Sequence, residues 1–448
     1  MENILLPVQK KYDFDVAVCG GGMSGFAAAV SAARTGARTV LIESGGFLGG
    51  TATKGLVGPF MTCYDAPGET QIIRGLFDEL KQALLADGGA VSPADCHGGD
   101  GYSGYRTGGH IGVMPFDREA LKRVTEQMCL EAGVTLLYHT LLIGCDSDGE
   151  RISRIFAADS NQIISISAKV FIDTTGSAAL AHKAGAHTMR GNDDGILQTA
   201  STFFIIDGVD KAVLDEHMRT HTEMRARYFM DVIDAGKQDG SFPCGQNKLR
   251  IFENPDGTWT VNMTQMDGQL NELDGKAVTV AEIEQRQQII RLVDFLRSRI
   301  PGLENVRIVA TASDIGVRES RRMVGKTLFC LEDIQNAHKF DDRIAVCANS
   351  VDIHHKDGVK YIAHQTENYY IPLSCLISHN IDNLLTAGKS LSADKYAFAA
   401  VRVMPPCVAM GEAAGVTAAL AAAADIPAAE VPYGEVQRIL LENGAYLG

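Results

Sequence analysis

The chain has 448 residues, 46% of them hydrophobic and 21% charged, which is enough apolar sequence for two or three packed domains and excludes disorder as its main state. Its 41 lysines and arginines against 55 aspartates and glutamates give a net charge of −14 with no basic run, so nucleic acid and anionic membrane surfaces are disfavoured and small-molecule substrates favoured. Ten cysteines occur singly, without a C-x-x-C pair or zinc-like spacing, which argues for reduced thiols in a cytoplasm and against metal sites, iron–sulfur clusters or a redox disulfide.

The N-terminal MENILLPVQKKYDF has too short an apolar run for a signal peptide. Then YDFDVAV reads as a buried strand, CGGGMSG as a turn, and GFAAAVSAARTGA as a helix with Phe26, Ala29, Val30 and Ala33 on one face and Gly36 at its end. The glycines Gly20, Gly22 and Gly25 have the spacing G-x-G-x-x-G, and RTVLIE supplies a second strand ending in Glu43, 18 residues beyond Gly25. In such a frame one glycine makes the turn, the second lets backbone approach a pyrophosphate, and the third packs helix on strand; the carboxylate accepts from a ribose. A helix N-terminus facing the phosphates adds unpaired N–H groups and partial positive charge.

A glycine-rich stretch, ESGGFLGGTATKGLVGPFMT, follows and is longer than a simple connection needs. Residues 71–86 predict an amphipathic helix. The segment Cys96–Gly112 holds seven glycines among Tyr102, Tyr105, Arg106 and His110, the composition of a flap over a ligand or of an irregular surface loop. FDREALKRVTEQMCLEAG predicts a helix with Asp117 as N-cap and Gly133 as stop. The next 43 residues predict a β-meander with turns at Ser147–Glu150 and Asp159–Gln162, returning to a buried strand. From 196 to 340 the pattern changes to mixed strands and one long helix. The expected organisation is therefore a discontinuous nucleotide-binding domain, 1–195 and 341–448, with a substrate or cap domain at 196–340. The alanine-rich AAGVTAALAAAAD near the C-terminus is too short by itself to span a bilayer.

Four stretches, DVAVCGGGMSGFAAAVSAARTGARTVLIESGGFLGGTAT, FIDTTGSAALAHKAGA, IGVRESRRMVG and NLLTAGKSLSADKYAFAAVRVMPPCVAMGEAAG, resemble the FAD-dependent oxidoreductases of the glutathione-reductase-like superfamily, in the group that includes fumarate reductase flavoproteins. The resemblance runs nearly end to end. It departs at DTTGSAAL, where Ser177 replaces the family's usual acid. It implies an α/β fold: a three-layer Rossmann-like FAD-binding domain, with parallel sheet and β-meander, beside an α+β substrate domain. It also implies non-covalent FAD rather than NAD, and no second G-x-G-x-x-G frame is present for a nicotinamide cofactor. The cofactor contacts it implies are Gly20, Gly22, Met23, Ser24 and Gly25 at the turn, and Glu43 and Ser44 after the second strand. Gly49, Gly50 and Thr51 follow, with Thr174, Thr175 and Gly176 after the meander. Gly388, Arg402, Pro406 and Gly411 belong to the closing segment. There Pro405 and Pro406 suit the first turn of a helix whose N-terminus, with Arg402, would stabilise a reduced, negatively charged flavin.

For catalysis, the best acid/base candidate is His354 in VDIHH, the alternative being a solvated loop histidine beside Lys356 and Asp357. Arg318 and Arg322, which share a face if IGVRESRRMVG is helical, could clamp a carboxylate; the alternative, favoured for Arg321, is pairing with Glu319, Glu332 or Asp333. Arg106 and His110 are further candidates, with Asn262, Lys389 and Tyr396 behind them, while His182 and His187 read as packing or capping residues. The expected reaction is hydride transfer between a small polar substrate and flavin N5, with an unspecified electron partner. Reduction of an activated double bond, as in fumarate reductase, and a flavoprotein similar to tRNA-modifying enzymes are the alternatives.

Overall fold

The computed structural model describes residues 7–96, 112–191, 195–266, 269–355, 358–363 and 367–448. Arg106 and His110, with the rest of the glycine-rich segment 97–111, lie outside the described residues.

Strand β1 (Val8–Cys19) leads through the glycine turn into α1 (Met23–Arg34), and β2 (Thr39–Ile42) follows. Helix α2 (Leu76–Ala86) begins at Leu76 rather than Gln71. Gln71 is held in a bridge to Tyr64 and its amide bonds Ile73 O at 2.8 Å, while Gly75 turns the chain with φ 61°; Ile72 and Ile73 are buried without being helical. Helix α3 (Arg118–Glu131) has the expected cap: Asp117 Oδ1 accepts from Ala120 N at 2.6 Å. Strands β3 (Thr135–Leu137), β4 (Leu141–Ser147), β5 (Ile152–Ala158) and β6 (Ile163–Asp173) come next. The two meander turns close where expected, because Asp148 Oδ1 accepts from Arg151 N at 2.7 Å and Asp159 Oδ1 from Asn161 N at 2.8 Å.

The chain continues with α4 (Ala179–Ala184), β7 (Thr188–Arg190), β8 (Phe204–Asp207), α5 (Lys211–Thr220), α6 (Met224–Arg227), α7 (Met230–Gln238), β9 (Ile251–Glu253) and β10 (Trp259–Val261). Then come α8 (Gly275–Arg299), β11 (Arg307–Thr311), β12 (Arg321–Met323), α9 (Leu331–Gln335), β13 (Arg343–Cys347), β14 (Val351–His355) and β15 (Gly358–Ala363). The last elements are β16 (Tyr369–Pro372), β17 (Leu384–Thr386), α10 (Lys395–Val401), α11 (Met404–Ala424) and α12 (Tyr433–Glu442).

The protein is α/β. Among the described residues its main sheet has seven strands, in the order β3-β2-β1-β6-β5-β4, with β17 also on β6. Strands β3, β2, β1, β6 and β17 are parallel, and the β4–β5–β6 meander is antiparallel. Alternation along β1 builds both faces: Val16 and Val18 join a core with α1 and α11, whereas Ala17 and Cys19 join one with the meander and α4. Because parallel strands end together, the turn after β1, the chain after β2 and the turn after β6 gather at one edge, where open α/β sheets bind ligands. A second sheet, β11-β8-β10-β9, packs under α8 with its own core around Trp259, Phe204 and Phe295.

Helix α11 is longer than its alanine-rich stretch alone suggested. With 21 residues it is long and apolar enough to cross a membrane, yet it is mostly buried within the protein, packed along α1. Gly411 lies in that contact: a Cβ there would stand 2.2 Å from Ser24 O, and one at Gly415 2.3 Å from Ala28 O. Gly411, expected at the cofactor, lets the backbones of α1 and α11 touch.

Candidate active site

At the sheet edge the three turn glycines have different surroundings. Gly20 has φ +104°, and a Cβ there would stand 2.6 Å from Thr174 O. A Cβ on Gly25 would be 1.8 Å from Gly20 O, so helix and turn close only without one. Around Gly22 a Cβ would meet nothing within 4 Å among the described residues. That open cradle lies at the N-cap of α1, which no side chain caps, so donors of the first helical turn are left for a ligand. Gly49 N donates to Gly21 O at 2.8 Å, which lays the second glycine segment, Gly49, Gly50 and Thr51, against the first turn. Thr174 Oγ1 donates to Gly20 O at 2.7 Å, and Thr175 Oγ1 to the buried Asp173 at 2.7 Å. Gly176 follows with φ +73° against Lys389.

Glu43 is buried at the end of β2, with Ser44 exposed beside it. Its Oε2 accepts from Gly21 N at 2.7 Å, and its Oε1 from Gly45 N and Lys54 Nζ, both at 2.7 Å. Burial alone would raise this carboxyl; the Lys54 ammonium and the two N–H groups outweigh it and hold the carboxyl below its ordinary range. Glu43 thus braces the glycine turn, and Lys54 is a partner with no sequence signature.

The closing segment joins this edge to a polar cluster. A Cβ on Gly388 would stand 2.6 Å from Ser24 Oγ and 3.6 Å from Cys407 Sγ, and Lys389 Nζ donates to Val317 O at 2.7 Å. Burial, then Arg402, lowers the Lys389 ammonium to about 8. Helix α11 carries its prolines in the first turn as expected. Neither Pro405 nor Pro406 has an N–H, so positive character at this end rests chiefly on Arg402. Cys407 is no nucleophile here: burial pushes its thiol up to about 12.

Arg402 NH2 is 3.5 Å from Asp352 Oδ1 and donates to Gln198 Oε1 at 3.3 Å. His354 lies on the β14–β15 hairpin, buried, with Nε2 3.2 Å from Asp352 Oδ2. Its backbone N donates to Gln198 Oε1 at 3.3 Å, and its carbonyl accepts from Thr199 N at 3.2 Å. Arg318 NH1 donates to Thr199 O at 2.7 Å. Burial and the nearby Arg318 push the His354 imidazole down to about 3, so it is neutral at ordinary pH. For Asp352, burial is outweighed by Arg402, His354 and Arg318, and its carboxyl stays lowered and charged. Burial and Arg402 lower Arg318 as well, to about 9, which leaves it the charged form at neutral pH.

Several expectations are corrected. IGVRESRRMVG is extended, ending in β12 paired with β7, so Arg318 and Arg322 share no helical face. Arg322 turns into the core, pairing with Glu319 at 2.6 Å and donating to Gly191 O at 2.6 Å, with side chains 1% and 0% exposed. Arg321 bonds the carbonyl of Ser177 at 3.1 Å instead of an acid. The loop alternative for His354 also fails, since it is a buried strand residue. Of the lesser candidates, Asn262 Oδ1 is buried without a hydrogen bond, Tyr396 lies at the surface, and His187 stacks on His379. Sequence reasoning missed Gln198 and Thr199, which carry no motif. Asp352 was traceable, because two residues apart on a strand puts it on the face of His354.

A glycine turn, an acid after the second strand and a closing helix leading into this cluster define a dinucleotide-binding enzyme. The chain belongs to the FAD dependent oxidoreductase family, whose model matches residues 15–440; it is an FAD-dependent oxidoreductase. No curated protein matches it by sequence. Among solved structures it is similar to a geranylgeranyl bacteriochlorophyll reductase-like protein from Thermoplasma acidophilum (13% identity, 96% of this chain and 84% of that one, TM-score 0.44). It is also similar to BexE (12%, 96% and 68%, 0.48) and to the flavin-dependent brominase Bmp2 (12%, 96% and 83%, 0.45). The open cradle at Gly22 and the uncapped α1 fit a dinucleotide such as FAD.

Proposed function

We propose that this enzyme transfers a hydride between a carbon of a small polar substrate and N5 of non-covalently held FAD. Bound FAD supplies the site that accepts or returns the hydride. Gly20, Gly22, Met23, Ser24 and Gly25 would hold its pyrophosphate with the N–H groups of α1, and Glu43, beside Ser44, would accept from its ribose. Gly49, Gly50 and Thr51, Thr174–Gly176 and Gly388 would line the same site, and Arg402 before Pro406 would supply positive charge toward the reduced cofactor.

His354 handles the substrate proton. With Nε2–H donating to Asp352, the tautomer is fixed and Nδ1 carries the lone pair. Arg318 binds a substrate oxygen and Asp352 orients the imidazole. The site draws Gln198, Thr199 and Arg318 from the expected cap region, 196–340, and Asp352, His354 and Arg402 from the closing region. The single observation that carries this reading is the contiguous network Arg318–Thr199–His354–Asp352–Arg402 adjoining the N-terminus of α11.

The test is anaerobic. Oxidised and dithionite-reduced protein are mixed with hydroxy acids, sugars, amines and enoates while the visible flavin absorption is followed. Bleaching by one class, or reoxidation by enoates, is the expected result and fixes the direction. A flavin that exchanges electrons with dithionite and with none of these substrates would overturn the reading.

A further inference from the structure

Helix α8 carries apolar side chains on two faces. Ile289, Leu292, Val293 and Leu296 are buried in the core around Trp259, which is the apolar stripe a surface helix needs. On the outer side Val280, Ile283 and Ile290 are 48%, 48% and 55% exposed, with Gln287 exposed between the last two. Their spacing of three, four and three positions puts all four on one helical face. Leu273, just before the Asp274 cap, is 45% exposed as well. Among the described residues no other element exposes three large apolar side chains. Local preference does not account for them: all three on α8 are β-branched, weaker helix formers than the straight-chain residues that suit a solvated face.

The charges along α8 are divided between its halves. Asp274, Glu282 and Glu284 lie toward the N-terminus and Arg286, Arg291, Arg297 and Arg299 toward the C-terminus, with Lys276 and Asp294 as the exceptions. Most have a use within the chain: Asp274 caps the helix, Glu282 pairs with Arg286 and accepts from Ile315 N, Arg297 bonds Val306 O, and Arg299 pairs with Asp239. Glu284 and Arg291 do not, since neither has a hydrogen bond or ion pair among the described residues. Both lie more than two turns from either helix end, outside the reach of the helix dipole. Seven positions, about 10 Å, separate them on one flank of the apolar line, too far for them to pair with each other.

We propose that the outer face of α8 docks a second copy of this chain, the two helices packing antiparallel about a two-fold axis beside Gln287. Such a contact is self-complementary. Glu284 of each copy meets Arg291 of the other, Ile283 lies beside Ile290 of the other, and the two Gln287 amides face each other at the axis. The acidic half of one helix then covers the basic half of its mate. Two chains of net charge −14 repel one another in most orientations, so a face on which opposite charges match selects this one. At 25 residues α8 is about 37 Å long, which makes a small interface that exchanges at micromolar concentration. None of these residues belongs to the His354 cluster or to the glycine turns.

The experiment is sedimentation equilibrium of the FAD-loaded full chain over roughly 1–200 μM, alone and with lipid vesicles. The mass should rise with concentration from the 48.1 kDa of one chain toward twice that value. Ile290→Asp should weaken the dimer on the order of a hundredfold. Glu284→Arg alone and Arg291→Glu alone each set like charges against one another across the axis and should weaken it by about tenfold. The two reversals together should restore an affinity within about threefold of wild type. All three positions are exposed, so FAD content and helical circular dichroism should stay at wild-type values; should Ile290→Asp lose FAD, the charge reversals decide alone. A chain that keeps the mass of one copy across the range, whether free or bound to vesicles, overturns the proposal. So does a dimer that none of the changes weakens, or a double reversal as weak as either single one.

Discussion

Glu412 gives the fold a pH dependence that can be worked from its surroundings. It lies on α11 with 2% exposure, its Oε2 accepting from Leu76 N at 3.0 Å and so capping α2 from another helix. Burial dominates and pushes its carboxyl from an ordinary 4.5 up to about 7, against the bonds from Leu76 and Asn443. The folded state therefore holds this proton over a range in which the unfolded chain has lost it. Below about pH 4.5 both states are protonated and the group adds no penalty. Between 4.5 and 7 the unfolded chain ionises first and stability falls, and above 7 the loss is complete. At about 1.4 kcal/mol per pH unit, the loss is about 3 kcal/mol. Glu412→Gln keeps a carbonyl acceptor for Leu76 N and removes the titration. Urea unfolding of FAD-loaded wild type and variant from pH 4.5 to 8.5 should show the wild type losing about 3 kcal/mol more than the variant across the window. Parallel curves would refute the burial argument.

Three other outcomes follow. Gly25→Ala puts a methyl 1.8 Å from Gly20 O, so helix and turn must part by overpacking worth about 1–3 kcal/mol; the purified variant should lose most of its bound FAD, measured by flavin absorbance per protein. Glu319→Gln removes the partner of a fully buried arginine and should cost about 3–5 kcal/mol in unfolding free energy, read by urea denaturation. His354 has a depressed pKa, about 3, so its contribution to stability is present above its unfolded value of about 6.5 and is lost as pH falls toward 3. In the free enzyme, the pH profile of flavin reduction should accordingly lack a histidine inflection between about 5.5 and 7.5, and an inflection there would contradict the burial of His354 and the field of Arg318.

The parts of the fold that could be read in the sequence are those dictated by local chemistry. The glycine turn, the Asp117 cap and the two aspartate-closed meander turns depend on residues within a few positions of one another, and all are found. What eluded sequence reasoning depends on distant partners. Gly411 is a packing glycine because α1 happens to cross it. Arg322 is structural because Glu319 and Gly191 enclose it. The buried His354 sits in a string that looked solvated from its neighbours Lys356 and Asp357. Gln198 and Thr199 reach the site through bonds to residues more than a hundred positions away, and no periodicity marks such contacts.

The central claim is that His354, set by Asp352 and flanked by Arg318 and Arg402, performs proton chemistry beside a separately bound FAD. Rapid-mixing measurement of flavin reduction or reoxidation in His354→Ala, using the substrate class found by the anaerobic screen and normalised to FAD content, tests it most directly. FAD content should equal that of wild type, while the half-reaction slows by about 10²–10⁴-fold. An unchanged rate, or a loss of rate that tracks a loss of FAD, would contradict it.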